Sequence, residues 1–274
     1  DVLAKEFKSS FLTRSITASI LTVPILAIVL IGNELLFLSA ILATLFFASH
    51  EWVKNSISRS FFFNHIALLI LFILMFLAPN KLQELTIFIS AIFWMLFSLF
   101  LISNSTSKLH FIDFNNVYIR FLVIGSFFLC SHYILETNTI FPFSNYFLFL
   151  VFILNAAISD SAAYLSGTYF GKTRLFSEIS PNKTFEGFVG GLLFSALFGV
   201  LIFIISDSTP LIIVLMIIGS FYAFVGDYFF SFLKRKSGIK DTGNLLPGHG
   251  GILDRIDSHL SSIPILTSIL ILVS

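Results

Sequence analysis

Residues 231–257, SFLKRKSGIKDTGNLLPGHGGILDRID, gather ionic groups that the rest of the chain lacks. Lys234, Arg235, Lys236, Lys240 and Arg255 suit phosphate oxygens, as point charges or through the two-pronged guanidinium. Asp241, Asp254 and Asp257 suit a hard cation such as Mg²⁺, which takes oxygen ligands and often bridges to substrate phosphates. Only 11% of the chain is Asp, Glu, Lys or Arg. Such a concentration beside an apolar run points to something charged held at a membrane edge. A solvated basic loop would explain the lysines. It would not explain Gly248-His249-Gly250-Gly251 followed by Asp254, Arg255 and Asp257.

Helical spacing sharpens the reading. Asp254 and Asp257 lie three apart and share one helix face at the start of the last span. Asp227, in Phe224-Val-Gly-Asp-Tyr228, lies in an apolar helix two turns before the basic run. Like charges this close repel unless a cation neutralises them. Asp227, Asp254 and Asp257 are therefore the expected metal ligands, around one or two cations with Mg²⁺ as the first. The glycines at 248, 250 and 251 would let backbone N–H groups approach a phosphate as a nest. His249 would donate to a phosphate or brace the turn.

Two further clusters carry polar chemistry. Asp160 stands inside an apolar run, where a carboxylate costs about 2.5–3.5 kcal/mol on insertion scales and needs a partner or a wet cavity. Ser159, Ser161, Ala162 and Ala163 beside it are small enough for close helix approach; the alternative is an interhelical Asp without a substrate role. The second cluster is Gly171-Lys172-Thr173-Arg174 followed by Ser180-Pro-Asn-Lys-Thr-Phe-Glu186. Ser180 then Pro181 predicts a helix start, with Ser180 as cap and Pro181 at the first helical position. Such an N-terminus favours phosphate, and Lys183 one turn in would add a full charge. Gly187, Gly190 and Gly191 read as helix-packing positions.

The elements that must position these residues are membrane spans. The 274 residues are 57% hydrophobic, with 36 phenylalanines and a mean hydropathy of +0.96. Nine spans are expected, near 15–32, 35–50, 61–78, 84–103, 117–135, 144–170, 185–206, 209–235 and 256–273. The first is read as a span rather than a cleaved leader, because no small-residue cleavage site follows it. With the N-terminus inside, all 16 Lys and Arg except Lys81 fall on the inner side, a strong positive-inside asymmetry. The fold class is thus all-α, a polytopic transmembrane bundle with its polar motifs on the cytoplasmic face. The helices of 1–140 and the catalytic region of 141–274 form one integrated membrane domain. A net charge of +1 gives no argument for nucleic acid. Cys130, the single cysteine, rules out an intrachain disulfide and a thiolate metal cluster. There is no P-loop, His-Glu-x-x-His or Gly-x-Ser-x-Gly sequence.

At these residues the chain resembles the CDP-diacylglycerol synthases, or phosphatidate cytidylyltransferases. The likeness is carried by Ser231, Lys234-Arg235, Lys240-Asp241, Gly243, His249-Gly250-Gly251, Asp254-Arg255 and Asp257. It extends to Ser180-Pro181, Lys183-Thr184, Glu186-Gly187, Asp160 and Gly226-Asp227, and so covers roughly the C-terminal half. The resemblance implies a bacterial inner-membrane enzyme, its site facing the cytoplasm. It would join CTP and phosphatidic acid to give CDP-diacylglycerol and pyrophosphate. Asp227, Asp254, Asp257, Lys240 and Lys183 would act at the reacting groups. Ser180, Thr184, Lys234, Arg235, His249, Gly250, Gly251, Arg255 and Asp160 would lie around the substrates. The partners implied are CTP, phosphatidic acid and the bilayer, with a homodimer left open and no nucleic acid. Two other functions use similar residues. A CTP-dependent lipid kinase acting on a polyprenol-type alcohol would release CDP instead of pyrophosphate. A transporter would route ions past Asp160 and Asp227, but usually shows duplicated halves.

Overall fold

The computed structural model describes residues 23–56, 61–103, 111–137, 140–176, 178–246 and 250–273. Within them lie nine helices and no strand. They are α1 (23–31), α2 (Glu34–Lys54), α3 (Phe61–Phe76), α4 (Asn80–Ile102), α5 (Val117–Glu136), α6 (Asn145–Phe170), α7 (Phe185–Ser206), α8 (Leu211–Lys236) and α9 (Leu253–Val273). Seven of these, α2 and α4 to α9, are long and apolar enough to cross a membrane. α3 has 16 residues, short of the roughly 20 that span about 30 Å of hydrocarbon. The expected first span, 15–32, falls partly outside the described residues. The chain is a polytopic helical membrane protein.

Turn and cap residues set the helix starts. Asn33 Oδ1 accepts from Leu36 N ahead of α2, and Ser144 Oγ accepts from Phe147 N ahead of α6. Each satisfies one of the amides that a first turn leaves unpaired. α5 is interrupted by a π-helical stretch at Phe121–Gly125.

α6, α7, α8 and α9 pack most extensively against one another, and α9 also lies along α4. Apolar packing between membrane helices has no water to expel, so close approach and a few polar bonds must hold it. Both are present. Asn155 Nδ2 donates to Met216 O at 2.9 Å, and the Ser159 and Ser220 hydroxyls lie 2.6 Å apart, joining α6 to α8. Where α8 meets α9, a Cβ at Gly226 would lie 2.5 Å from Asp257 O, so only glycine admits that crossing. The core between α2, α4 and α8 is aromatic, with Trp94 and Phe97 edge-on to Phe229, and Trp52 edge-on to Phe230.

Candidate active site

The C-terminal ends of α6 and α8 and the N-terminal ends of α7 and α9 surround a cavity of about 840 Å³. Its walls carry Lys172, Arg174, Lys183, Lys234 and Arg255, against Asp160, Asp227, Asp241, Asp254 and Asp257. Cations and carboxylates are thus equal in number in a pocket sunk into apolar helices. The three sequence clusters converge here, and Thr184 is also on the wall.

Two ion pairs organise the wall. Lys183 Nζ stands 2.7 Å from Asp227 Oδ2, and Lys234 Nζ stands 2.7 Å from Asp254 Oδ1. Lys183 also lies over the Phe224 ring at 4.6 Å, a cation–π contact that fixes its approach. Asp254 Oδ2 accepts from Thr242 N, Thr242 Oγ1 and Gly251 N, at 2.8, 3.0 and 3.0 Å. Asp254 therefore ties the 241–251 loop to the start of α9. Ser258 Oγ bridges Asp160 Oδ2 (2.9 Å) and Asp257 Oδ1 (3.4 Å), linking α6 to α9. The charges of Asp160, Asp227 and Asp257 act on one another across the cavity.

The segment entering α7 differs from the expected helix start. Ser180 to Lys183 form a turn, with Lys183 N donating to Ser180 O at 3.2 Å. Thr184 is the cap, its Oγ1 accepting from Gly187 N at 3.1 Å. Pro181 sits at the second position of that turn, where its fixed φ is equally favourable, and threonine is a competent cap four residues later. The turn is held by Leu175 N to Lys183 O and Phe185 N to Thr173 O, both 2.8 Å. Glu186 reaches back to accept from Lys172 N, Thr173 N and Thr173 Oγ1. That aims Lys172 and Arg174 at the cavity.

Several expected substrate contacts stand elsewhere. Arg235 Nε donates to Ile179 O (3.2 Å) and Nη1 to Ile239 O (3.4 Å), bracing two loops. Lys240 is exposed and off the cavity wall; Ser180 and Gly250, partly buried, and Gly251, buried, are off the wall as well. Lys236 Nζ donates to Ile112 O. The Gly251 amide is spent on Asp254 rather than facing outward as part of a phosphate nest. Gly250 has φ +82, and its carbonyl accepts from Leu246 N. His249 lies outside the described residues.

Asp227, Asp254 and Asp257 share the cavity but not one inner shell. Among the described residues, the three-residue His/Cys/Asp/Glu group with ligand atoms within 4.8 Å of one another is Glu34, His132 and Glu136. That group lies at the opposite end of α2 from the loop. Lysine ammoniums occupy two of the three aspartates. The donor chemistry still fits a magnesium-like ion: Asp160, Asp227 and Asp257 offer only oxygen, and their mutual repulsion is what a divalent cation relieves.

Sequence reasoning missed Glu51. This α2 residue is 1% exposed and accepts from Ile252 N and Leu253 N, both at 2.9 Å, and from Thr242 Oγ1 at 3.1 Å. It caps α9 from another helix. The one signal was a glutamate beside Trp52 in an apolar span.

A family model described as "Cytidylyltransferase family" matches residues 12–273. The chain is 44% identical over 117 residues to a Staphylococcus saprophyticus protein named phosphatidate cytidylyltransferase, covering 42% of this chain and 45% of that one. Proteins of the same name are 36% identical over 161 residues in Bacillus subtilis (57% and 60% covered) and 46% over 126 in Aquifex aeolicus (44% and 46%). The matched segment spans about half the length of these relatives. With nearly the whole chain matched by the family model, and with the quoted motifs on one cavity, the chain belongs to the cytidylyltransferase family.

Proposed function

We propose that the chain joins CTP and phosphatidic acid into CDP-diacylglycerol with release of pyrophosphate, in a bacterial inner membrane with the cavity open to the cytoplasm. The observation that carries this is the cavity itself. A polyanionic nucleotide and an anionic lipid headgroup must meet, and this pocket sets five cationic side chains and five carboxylates at the ends of membrane helices. The names of the relatives point to the same two substrates.

In this reaction an oxygen of the lipid phosphate attacks the α-phosphorus of CTP. One P–O bond forms, the bond to the β-phosphate bridging oxygen breaks, and pyrophosphate departs with the electron pair. No side-chain nucleophile is needed, which agrees with Cys130 being buried in the core. Lys183 and Lys234 exchange aspartate for phosphate oxygens, and Arg255, Lys172 and Arg174 hold the rest of the polyphosphate. Positioning and charge neutralisation of this kind supply most of the barrier lowering in phosphoryl chemistry. Mg²⁺, held by Asp227 and Asp257 with Asp160 adjacent, would supply the divalent charge that offsets the developing negative charge. Asp254 keeps Lys234 and the loop in place. Lys240, exposed at the rim, would meet only a substrate that extends beyond the cavity.

Incubation of the purified protein with phosphatidic acid, labelled CTP and Mg²⁺ tests the proposal. Labelled CDP-diacylglycerol and stoichiometric pyrophosphate are expected. Release of CDP with a phosphorylated lipid alcohol would indicate a kinase, and flux into vesicles without CTP would indicate a transporter.

A further inference from the structure

Glu51 is nowhere on the cavity wall, yet the 241–253 loop is tied to it. Its Oε1 accepts from Ile252 N and its Oε2 from Leu253 N and Thr242 Oγ1. One turn on, Asn55 Nδ2 donates to Thr242 O at 2.8 Å. Among the described residues Glu51 forms no ion pair. A carboxylate this buried needs hydrogen-bond donors on its oxygens. Two amides at the start of α9 supply them, with the positive end of that helix behind them.

The loop sequence is shaped around this carboxylate. A Cβ on Gly243 would lie 2.6 Å from Glu51 Oε1, and one on Gly251 would overlap Glu51 Oε2. A side chain at either position would displace the Glu51 carboxylate, and at Gly251 the Thr242 hydroxyl as well. The Thr242 hydroxyl is 2% exposed as a residue and lies between Glu51 Oε2 (3.1 Å) and Asp254 Oδ2 (3.0 Å). It carries one proton and can donate to one of them at a time. Asp254 in turn holds Lys234, which faces the cavity. A continuous path of bonds therefore runs from α2 through Thr242 and Asp254 to a cavity lysine.

We infer that Glu51 is a positioning residue for the cytidylyl transfer proposed above: it anchors the 241–253 loop and thereby sets where Asp254, Lys234 and Arg255 stand in the cavity. The inference rests on that functional reading. It assigns α2, in the half of the chain for which the sequence offered only apolar spans, a part in positioning the site.

The test uses the full chain in nanodiscs. Leu245, 48% exposed on the loop, is replaced by cysteine as a reporter; Cys130 is buried and stays silent. Glu51→Gln keeps the size but replaces one acceptor oxygen with a donor, and Thr242→Val removes the shared hydroxyl while leaving Glu51 intact. Both are expected to raise the maleimide labelling rate at position 245 at least tenfold. Both should lower kcat at saturating CTP at least tenfold, and Thr242→Ser should stay within twofold on both readouts. Should Glu51→Gln not insert, the Thr242 pair carries the test alone. Labelling within twofold of the parent would overturn the anchoring. Raised labelling with unchanged kcat would make Glu51 a structural staple and overturn the inference as well. Failure of the functional reading is distinguishable, because the parent protein itself would then make no CDP-diacylglycerol.

Discussion

Lys183 Nζ and Asp227 Oδ2 stand 2.7 Å apart, joining the turn ahead of α7 to the interior of α8. Asp227 lies nine residues before the end of α8, about 14 Å along the axis at the α-helical rise. The pair therefore marks the depth at which charge is tolerated in this bundle. It also defines a competition: a substrate phosphate entering the cavity and Asp227 would share the same ammonium. Lys183 sits on a turn rather than inside a helix, so it can shift between them without disturbing packing.

Lys183→Ala should consequently lower kcat/KM for CTP at least 100-fold, or about 2.7 kcal/mol of transition-state stabilisation. It should also lower the melting temperature, because both side chains are largely buried, at 20% and 32% exposure, and Asp227 is left without its partner. Steady-state kinetics beside a thermal melt separates the two effects. Turnover within threefold of the parent would reduce the ion pair to a fold contact.

Arg235 and Arg255 should behave differently although both belong to the signature. Arg235 holds the carbonyls of Ile179 and Ile239, whereas Arg255 is on the cavity wall. Arg235→Gln is expected to lower the melting temperature while kcat stays within about tenfold, or ~1.4 kcal/mol. Arg255→Gln should raise KM for CTP at least tenfold. A reversed pattern would show that the guanidinium of Arg235 turns into the cavity when substrate binds.

Much of this was legible in the sequence, for identifiable reasons. Spans declare themselves because hydrocarbon demands long apolar runs. Asp160, Asp227 and Lys183 stood out because charge inside or beside such runs is costly. Local capping was less decisive: Ser180-Pro181 and Thr184 are both good starts, and the bridge between Arg174 and Thr184 chose the second. Glu51 was hidden because its partners Ile252 and Leu253 lie 201 and 202 residues away. Asp254 was assigned to a cation because spacing places its Cα correctly. Only the structure shows four donors already on its oxygens.

The end-to-end arrangement can be checked by labelling. Asn182 and Ser237, exposed on the loops around the cavity, should react from one side of the membrane once changed to cysteine. Asn80, exposed at the start of α4, should react from the other. The basic residues around the cavity predict that the first side is cytoplasmic. Reaction of Asn182→Cys and Ser237→Cys from opposite sides would break the shared cavity and everything built on it.

The cation leaves a signature that needs no turnover assay. Asp160, Asp227 and Asp257 repel one another, and Asp257 is the most buried, at 7% exposure. In the metal-free protein Asp257→Asn removes part of that repulsion while preserving shape. The variant should melt higher than the parent by about 2–4 °C, the shift that roughly 1 kcal/mol gives in a protein of this size. Asp254→Asn should do the opposite, because it strips Lys234 of its partner. With millimolar Mg²⁺ the parent should gain stability, since an ion that binds only the folded state stabilises by mass action. Asp257→Asn should lose most of that gain. A parent melt indifferent to Mg²⁺, or an Asp257→Asn variant that keeps the full Mg²⁺ response, would remove the cation from these aspartates and leave Lys183, Lys234 and Arg255 to neutralise the phosphates alone.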